Sequence, residues 1–357
     1  MKGMKTMLHT LLITHQIIST KMYDSIFKAL DSISKREGVN FYPKKGSNNK
    51  TYITNALTDK GFTQISLSKT IADKKYKYPQ KKLEIQLNPT KLLGRDIIEL
   101  TKEEDLAEVE KRFNKIIAEQ IHMDLNTFMF WTLKRIDYAV NIPTPYVKEY
   151  IKLFQRADKP HSFVIPYNDK SKDRTYKKGS FYLQSKSVKI NFYDKANERL
   201  NNTGEDVESA ENILRLEVQL LKGKTDAMKK SHEFDMKYLG YYLSEKISLK
   251  YINYYFDKTI GSGTYYKLDK AIKKINNSGH TQATKEKLIQ VLKDINSARS
   301  IWKARDNKRY SKASFRKYLG LLRNLGEEGD GGVNPVTIPR DWDVDGLKSI
   351  NIARDKM

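Results

Sequence analysis

The spacing of apolar residues in the first 222 positions predicts strands alternating with helices. Apolar side chains recur at every second position in residues 83–87, 136–142 and 214–220, as in a strand with one buried face, and the mainly apolar residues 8–18 predict a first strand. In residues 22–34 and 106–117 they recur with the spacing of an amphipathic helix. We therefore predict an α+β fold built on an antiparallel-rich sheet.

The character of the chain changes after residue 222. Helical patterns replace the strands, and apolar stripes run through residues 285–302 and 312–323. A glycine-rich stretch, "GEEGDGG", begins at residue 326. We predict a sheet-containing catalytic domain at 1–222, a mainly helical domain at 223–325, and a flexible or loosely ordered tail at 326–357.

Two short segments of the first half resemble each other. Residues 83–87 read "LEIQL" and residues 216–220 read "LEVQL", with Glu and Gln at the same offsets. A duplicated half-domain explains this match, and so does chance similarity between two amphipathic strands. Five residues do not decide between the two explanations.

Composition narrows the classes of function. The 357 residues contain 66 Lys+Arg, 43 Asp+Glu and no Cys, for a net charge of +23. The absence of cysteine excludes disulfides, cysteine nucleophiles and thiolate zinc sites. The simplest interpretation is a cytoplasmic protein with no membrane partner. Such a surplus of positive charge indicates a polyanionic partner such as nucleic acid, although a solvated basic surface is the alternative.

The positive charge is concentrated in the predicted helical domain. Residues 267–323 contain 16 Lys+Arg and 4 Asp+Glu. No phosphate-binding motif of the form GxxxxGK[ST] occurs, which argues against an ATPase or helicase. The six histidines form no pair with the spacing of metal ligands, so we treat each one as structural. We predict that the helical domain binds DNA or serves an accessory role.

Three predicted strands carry reactive side chains on their polar faces. The two-residue period places Asp137 on one strand, Glu217 on a second, and Tyr193 with Lys195 on a third. If these strands are neighbours, the two carboxylates could hold Mg²⁺ or Mn²⁺, and the phenol could act as a nucleophile assisted by the lysine. The alternative is a solvent-exposed face with cross-strand ion pairs, such as Arg135 with Glu217.

The same segments resemble a known family. Those that carry the resemblance are "KLEIQLNPTKLLG", "RIDYAVNI", "VKINFYDKANE" and "LRLEVQLL", together with "YSKASFRKYLGLLRNLG" near the C-terminus. They are similar to the replication proteins of the gene II/X family of filamentous phages and related plasmids, and to the Rep-trans class of rolling-circle initiators. The most specific motif is Y-D-K-x-x-E at Tyr193 to Glu198, followed by R-x-E at Arg215 and Glu217.

The resemblance implies roles for individual residues. Tyr193 would be the nucleophile that nicks one DNA strand and stays attached to the 5′-phosphate, which frees a 3′-hydroxyl for a polymerase. Asp137 and Glu217 would be metal ligands, with Glu84 a weaker third. A separate group, Lys195 and Arg215, would contact phosphate or stabilise charge on it.

These observations predict a function and its alternatives. We expect a rolling-circle replication initiator, a metal-dependent endonuclease and strand-transferase that uses Mg²⁺ or Mn²⁺. Its partners would be duplex and single-stranded origin DNA, a host helicase and polymerase, and a second copy of the chain in a homodimer. One alternative is a relaxase for plasmid mobilisation, and another is a non-enzymatic origin-binding protein or repressor.

Overall fold

A computed structural model describes residues 7–43, 50–70, 79–96, 98–166, 179–203, 208–307, 309–325, 332–350 and 352. Within these ranges, nine strands form one antiparallel sheet. The strands are β1 (Met7–Ile17), β2 (Tyr42–Pro43), β3 (Lys50–Thr54), β4 (Phe62–Lys69), β5 (Lys81–Leu87), β6 (Thr132–Pro143), β7 (Ser180–Gln184), β8 (Val188–Asp194) and β9 (Ile213–Leu220). Their order across the sheet is β2-β3-β4-β5-β1-β6-β9-β8-β7.

The sheet consists of two similar halves that meet at its centre. In the first half, β1 is followed by helix α1 (Thr20–Arg36) and then by β3, β4 and β5. In the second, β6 is followed by helix α4 (Val147–Phe154) and then by β7, β8 and β9. Because β1 and β6 pair antiparallel, a pseudo-two-fold axis between them relates the halves. The similar "LEIQL" and "LEVQL" segments lie on the equivalent strands β5 and β9, as a duplication requires.

Helices cover one face of the sheet, which we call the apolar face. The remaining helices are α2 (Pro89–Leu92), α3 (Leu106–Ile116, continued by a π-helical turn Ile117–Ile121), α5 (Lys195–Thr203), α6 (Lys222–Ser231), α7 (Glu245–Thr259), α8 (Leu268–Asn276), α9 (Gln282–Ala298), α10 (Ile301–Asp306) and α11 (Lys312–Arg323). Helices α4, α6 and α7 contact the strands of the second half. Aromatic rings fill the layer between helices and sheet; Phe154, for instance, lies 4.6 Å from Phe192. This layer is the hydrophobic core.

The opposite face, which we call the polar face, carries the side chains that alternate with the core residues. On β5 these include Glu84, and on β9 they include Glu217. The alternation is physically required, since successive side chains of a strand point to opposite sides. All the strand residues singled out from the sequence as reactive lie on this face.

The C-terminal region is joined to the sheet through the same core. Helix α7 contacts β1, β6 and β9, and helices α8 to α11 extend the packing outward. The α+β fold with a mainly helical C-terminal region is therefore confirmed, while the division into domains at residues 222 and 325 stays a prediction. In the described ranges, no helix has both the length and the apolar character needed to cross a bilayer.

The described part of the tail differs from the expected flexible segment. Residues 332–350 pack into the core, with Val333, Val336 and Ile338 each no more than 2% exposed. Their backbone pairs with the segment before α8, where Ile338 N donates to Tyr266 O at 2.9 Å. Strand β10 (Tyr265–Tyr266) also pairs with β11 (Gly346–Leu347). Buried aliphatic side chains and backbone pairing outweigh the local glycine content, whereas residues 326–331, 351 and 353–357 lie outside the described ranges.

The packing of the tail predicts a cost for truncating one of its side chains. Ile338→Ala removes buried methyl groups and should lower the free energy of unfolding by about 2–5 kcal/mol, measured by denaturant titration. Asp343→Ala, at an exposed position of the same segment, is the control and should change it by less than about 0.5 kcal/mol. Equal effects of the two variants would show that the tail is not part of the core.

Candidate active site

Sheet register brings Tyr193, Glu217 and Asp137 to neighbouring positions of the polar face. Strand β9 lies between β8 and β6, so that Tyr193 is paired with Arg215, and Glu217 is paired with Ala139. Asp137 pairs with Gln219, two residues along from Glu217, and is therefore a diagonal neighbour of Glu217. Diagonal neighbours have Cα atoms about 7–8 Å apart. The spatial arrangement expected from the three separate strands is thus present.

The Tyr193 phenol is hydrogen-bonded to Glu217. The hydroxyl donates to Glu217 Oε1, and the two side chains are almost completely buried. On the other side of the carboxylate, His9 Nδ1 lies 3.6 Å from the same oxygen. His9 is displaced from regular pairing by a β-bulge, because the register between β1 and β6 shifts between Leu8 and Thr10. The phenol, the carboxylate and the imidazole form one cluster.

Two buried cations complete this cluster. Arg215 is fully buried; its Nε donates to Asn141 Oδ1 at 2.7 Å and its Nη2 donates to the backbone oxygen of Ile98. Lys195, the first residue of α5, is 1% exposed, and its Nζ donates to Glu198 Oε2 at 2.7 Å. The ammonium also lies 5.9 Å from the centre of the Tyr193 ring. Burying such cations is tolerated only next to compensating carboxylates.

The protonation states of the hydrogen-bonded pair move in opposite directions. Burial, followed by the charge of Glu217, raises the pKa of Tyr193 well above its usual value. Burial alone would raise the pKa of Glu217, but His9, the Tyr193 hydrogen bond and the cations outweigh it, so this pKa is lowered. The resting site therefore contains a neutral phenol that donates to an ionised carboxylate. Tyr193 requires a change in its surroundings before it can attack as a phenolate.

Asp137 has a different electrostatic environment. Its carboxylate is 1% exposed and lies 3.1 Å from the Arg135 guanidinium, so Arg135 pairs with Asp137. Burial raises the pKa of Asp137 to about 7; Arg135 opposes this effect and the nearby charge of Glu217 adds to it. A buried carboxylate whose pKa is raised by burial and by a neighbouring negative charge is stabilised in its ionised form by an additional cation.

Glu84 does not join the other carboxylates. It pairs with Thr14 of β1, whereas Asp137 pairs with Thr10, and from strand spacings Glu84 lies roughly 15 Å from Asp137 and 25 Å from Glu217. Its carboxylate instead forms an ion pair with Lys134. The predicted third ligand therefore occupies the pseudo-symmetric position in the other half of the sheet.

Asp137 and Glu217 provide two carboxylates for a divalent cation, which is fewer than a site formed by protein ligands alone requires. Within the described ranges, no group of three His, Cys, Asp or Glu side chains is arranged to hold a metal ion. Mg²⁺, however, commonly uses one or two carboxylates and completes its shell with water and substrate phosphate. Asp137 and Glu217 are therefore suited to a cation that shares its coordination with a phosphate group.

The burial of the cluster rules out the solvent-exposed alternative and adds a constraint. Tyr193 is 7% exposed and Glu217 is 5% exposed, so this is no solvated array of ion pairs. Helix α5 contacts β8 and β9, and Arg199 of this helix pairs with Asp96 at 2.9 Å. A phosphate group can reach the phenol only if the covering residues move. No sequence pattern indicated His9, because a residue in a bulge does not follow the two-residue period of a strand.

Comparison with known proteins found a match only among solved structures. No family model matches the chain, and no curated protein matches it. Among solved structures, a rolling circle replication initiator protein from Geobacillus stearothermophilus aligns with 64% of this chain and 78% of that one, at 12% identity and a TM-score of 0.27. A TM-score this low does not establish a shared fold, so the function must be argued from the site.

The raised pKa of Asp137 predicts a pH-dependent effect on stability. The Asp137 carboxyl has a pKa of about 7 in the folded state, so between about pH 4 and 7 it is protonated in the folded protein and ionised in the unfolded protein. The stability that this bound proton contributes is lost as the pH rises through 7. Asp137→Asn should therefore raise the melting temperature at pH 8 by roughly 2–4 °C. The gain should shrink towards pH 5.

This comparison is made in EDTA, so that bound divalent cations do not contribute. Asp24→Asn, at an exposed position of α1, is the control and should change the melting temperature little at either pH. If Asp137→Asn lowers the melting temperature at pH 8, then the ion pair with Arg135 dominates and the burial argument fails.

Proposed function

We propose that the protein is a DNA-nicking strand-transferase that initiates rolling-circle replication through Tyr193. The observation that carries the proposal is the Tyr193 hydroxyl donating to Glu217 beside two buried cations. A nucleophile hydrogen-bonded to a base, with positive charge beside both, is the arrangement that nucleophilic phosphoryl transfer requires. The resemblance of the segments around these residues to gene II/X replication proteins supports the same chemistry.

The proposed step balances without any other reactant. The Tyr193 oxygen attacks a backbone phosphorus, the bond from phosphorus to the 3′-oxygen breaks, and a 5′-phosphotyrosine forms. Glu217 accepts the phenolic proton and later releases it to solvent, and the departing 3′-oxygen takes a proton from solvent water to become a free 3′-hydroxyl. The covalent link conserves the energy of the phosphodiester, so the reverse reaction rejoins strands without ATP. This agrees with the absence of a phosphate-loop motif from the sequence.

Lys195 and Arg215 would stabilise charge during this step. Both are buried next to Tyr193 and Glu217, where a charge interaction is weakly screened. Arg215 is held by Asn141 and by the Ile98 carbonyl, so its position is fixed before DNA arrives. Preorganised cations of this kind stabilise a phosphorane-like transition state without reorganising during the reaction.

A divalent cation is part of the proposal. Asp137 and Glu217 would hold Mg²⁺ or Mn²⁺ together with oxygens of the DNA, and the bound ion would polarise the scissile phosphate. The site residues themselves position the phenol, accept its proton and neutralise the phosphate. The closed resting state means that DNA binding must also displace residues around α5, which fits an enzyme that acts only on an engaged substrate.

The partners follow from this chemistry. The basic helices α8 to α11 would hold origin DNA through phosphate contacts. A host helicase would separate the strands, a polymerase would extend the 3′-hydroxyl, and a second copy of the chain could form a homodimer at the origin. A relaxase would use the same nick, and a non-enzymatic origin-binding protein or repressor would leave DNA intact.

Replacing the nucleophile tests the proposal directly. Tyr193→Phe should reduce nicking of supercoiled origin DNA in Mg²⁺ or Mn²⁺ at least about 10³-fold, because no phenol remains to form the covalent link. DNA binding should persist, and wild-type protein should be recovered attached to the 5′ end. Tyr182→Phe, on the neighbouring strand β7, is the matched control. Loss of nicking in the control alone would identify Tyr182 as the nucleophile, and no nicking by wild type would favour the repressor.

Replacing each acid by its amide tests the base and the cation. Glu217→Gln and Asp137→Asn should each lower the nicking rate about 10²-fold while leaving DNA affinity equal or slightly higher, since a negative charge is removed. Asp31→Asn, on the exposed surface of α1, is the control. Nicking that survives both amide substitutions and added EDTA would exclude a role for these carboxylates in holding a metal.

A further inference from the structure

The pseudo-two-fold axis of the sheet relates the candidate active site to a second cluster on the same face. The strand register shows which positions of the two halves are equivalent. Ser68 is paired with Lys82 in the first half, as Tyr193 is paired with Arg215 in the second. Glu84 faces Thr14, as Glu217 faces Ala139. We call Lys82, Glu84 and Lys134 the second cluster.

The two clusters share an unusual structural detail. Two β-bulges interrupt the pairing of β1 with β6, one at His9 and one at Lys134. Each bulged side chain reaches the glutamate of the opposite half: His9 lies beside Glu217, and Lys134 pairs with Glu84. The bulges occupy equivalent positions in the two halves, so the backbone of the second cluster is the counterpart of the backbone of the first.

The second cluster has lost the residues required for cutting. Ser68 stands where Tyr193 stands in the other half, so no phenol is present at that position. Leu12 pairs with Gln86 as Asp137 pairs with Gln219, so the second acid of a cation site is replaced by an apolar side chain. Without a nucleophile or a pair of carboxylates, this cluster cannot perform the proposed chemistry.

The balance of charge differs between the two clusters. The active-site cluster contains three carboxylates, Asp137, Glu198 and Glu217, which are balanced by three cations, Arg135, Lys195 and Arg215. The second cluster contains one carboxylate against two lysines, because Lys134 stands where His9 stands in the other half. The Lys134 and Glu84 side chains are 25% and 24% exposed, and in the described ranges Lys82 forms no ion pair, so the cluster is open to a ligand. An accessible excess of positive charge favours a phosphodiester.

We propose that the second cluster binds the backbone of the DNA strand that is not cut. The inference rests on the proposed function. The pseudo-two-fold axis places the two clusters in opposite orientations on the sheet. The two backbones of a DNA duplex also run in opposite directions. A separation of roughly 25 Å between Glu84 and Glu217 is too large for both clusters to contact one phosphate. Each cluster therefore contacts its own backbone, and only the one with Tyr193 cuts.

The test measures binding to a duplex and to a single strand of equal length by fluorescence anisotropy at several salt concentrations. The double variant Lys82→Ala/Lys134→Ala should bind the duplex roughly fivefold to tenfold more weakly, with a salt slope shallower by about 1.8 for two lost phosphate contacts. Its affinity for the single strand should fall less. The control Lys28→Ala/Lys111→Ala removes two exposed lysines from helices of the apolar side and should change neither value.

A second variant has an effect of opposite sign, which misfolding cannot produce. Glu84→Gln removes the only carboxylate of the second cluster and should tighten duplex binding about twofold to fivefold. Unchanged duplex affinity and slope in the double-lysine variant would overturn the inference, and so would equal losses for duplex and single strand. Wild-type protein that neither binds nor nicks DNA would instead refute the proposed function.

Discussion

The antiparallel pairing of β1 with β6 is the constraint on which the rest of the molecule depends. It joins two βαβββ units into one sheet and fixes the pseudo-two-fold axis between them. It also places the bulged residues His9 and Lys134 where each contacts the glutamate of the other half. A shift of this pairing by one residue would move the polar side chains into the core, so the fold and the candidate site have one common determinant.

The candidate site balances buried charges that would be unfavourable one at a time. Arg215 and Lys195 are almost fully buried, and each depends on neighbouring oxygen atoms for its charge to be tolerated. Glu217 stays ionised because His9, Tyr193 and the cations offset its burial. Burial and the charge of Glu217 keep the Tyr193 phenol protonated. The groups that would carry out the reaction therefore also keep the nucleophile inactive before DNA binds.

Part of this arrangement follows from the sequence and part does not. The two-residue period was enough to put Asp137, Tyr193 and Glu217 on polar faces, and "LEIQL" with "LEVQL" marked strands at equivalent positions of the two halves. Strand order is a long-range property, so Glu84 could not be separated from the other acids. His9 was missed because a bulge breaks the period. The tail was mistaken for a flexible segment because its partners, near Thr264 and Tyr266, lie far away in sequence.

The presence of both halves in one polypeptide has a consequence for which substitutions the sheet can accept. In a dimer of identical subunits every substitution appears in both subunits, so a nucleophile that is replaced in one subunit is also replaced in the other. Linking both halves in one polypeptide removes that coupling. Ser68 and Tyr193 occupy equivalent positions of the two halves and differ in chemistry, so an asymmetric site lies on a pseudo-symmetric sheet.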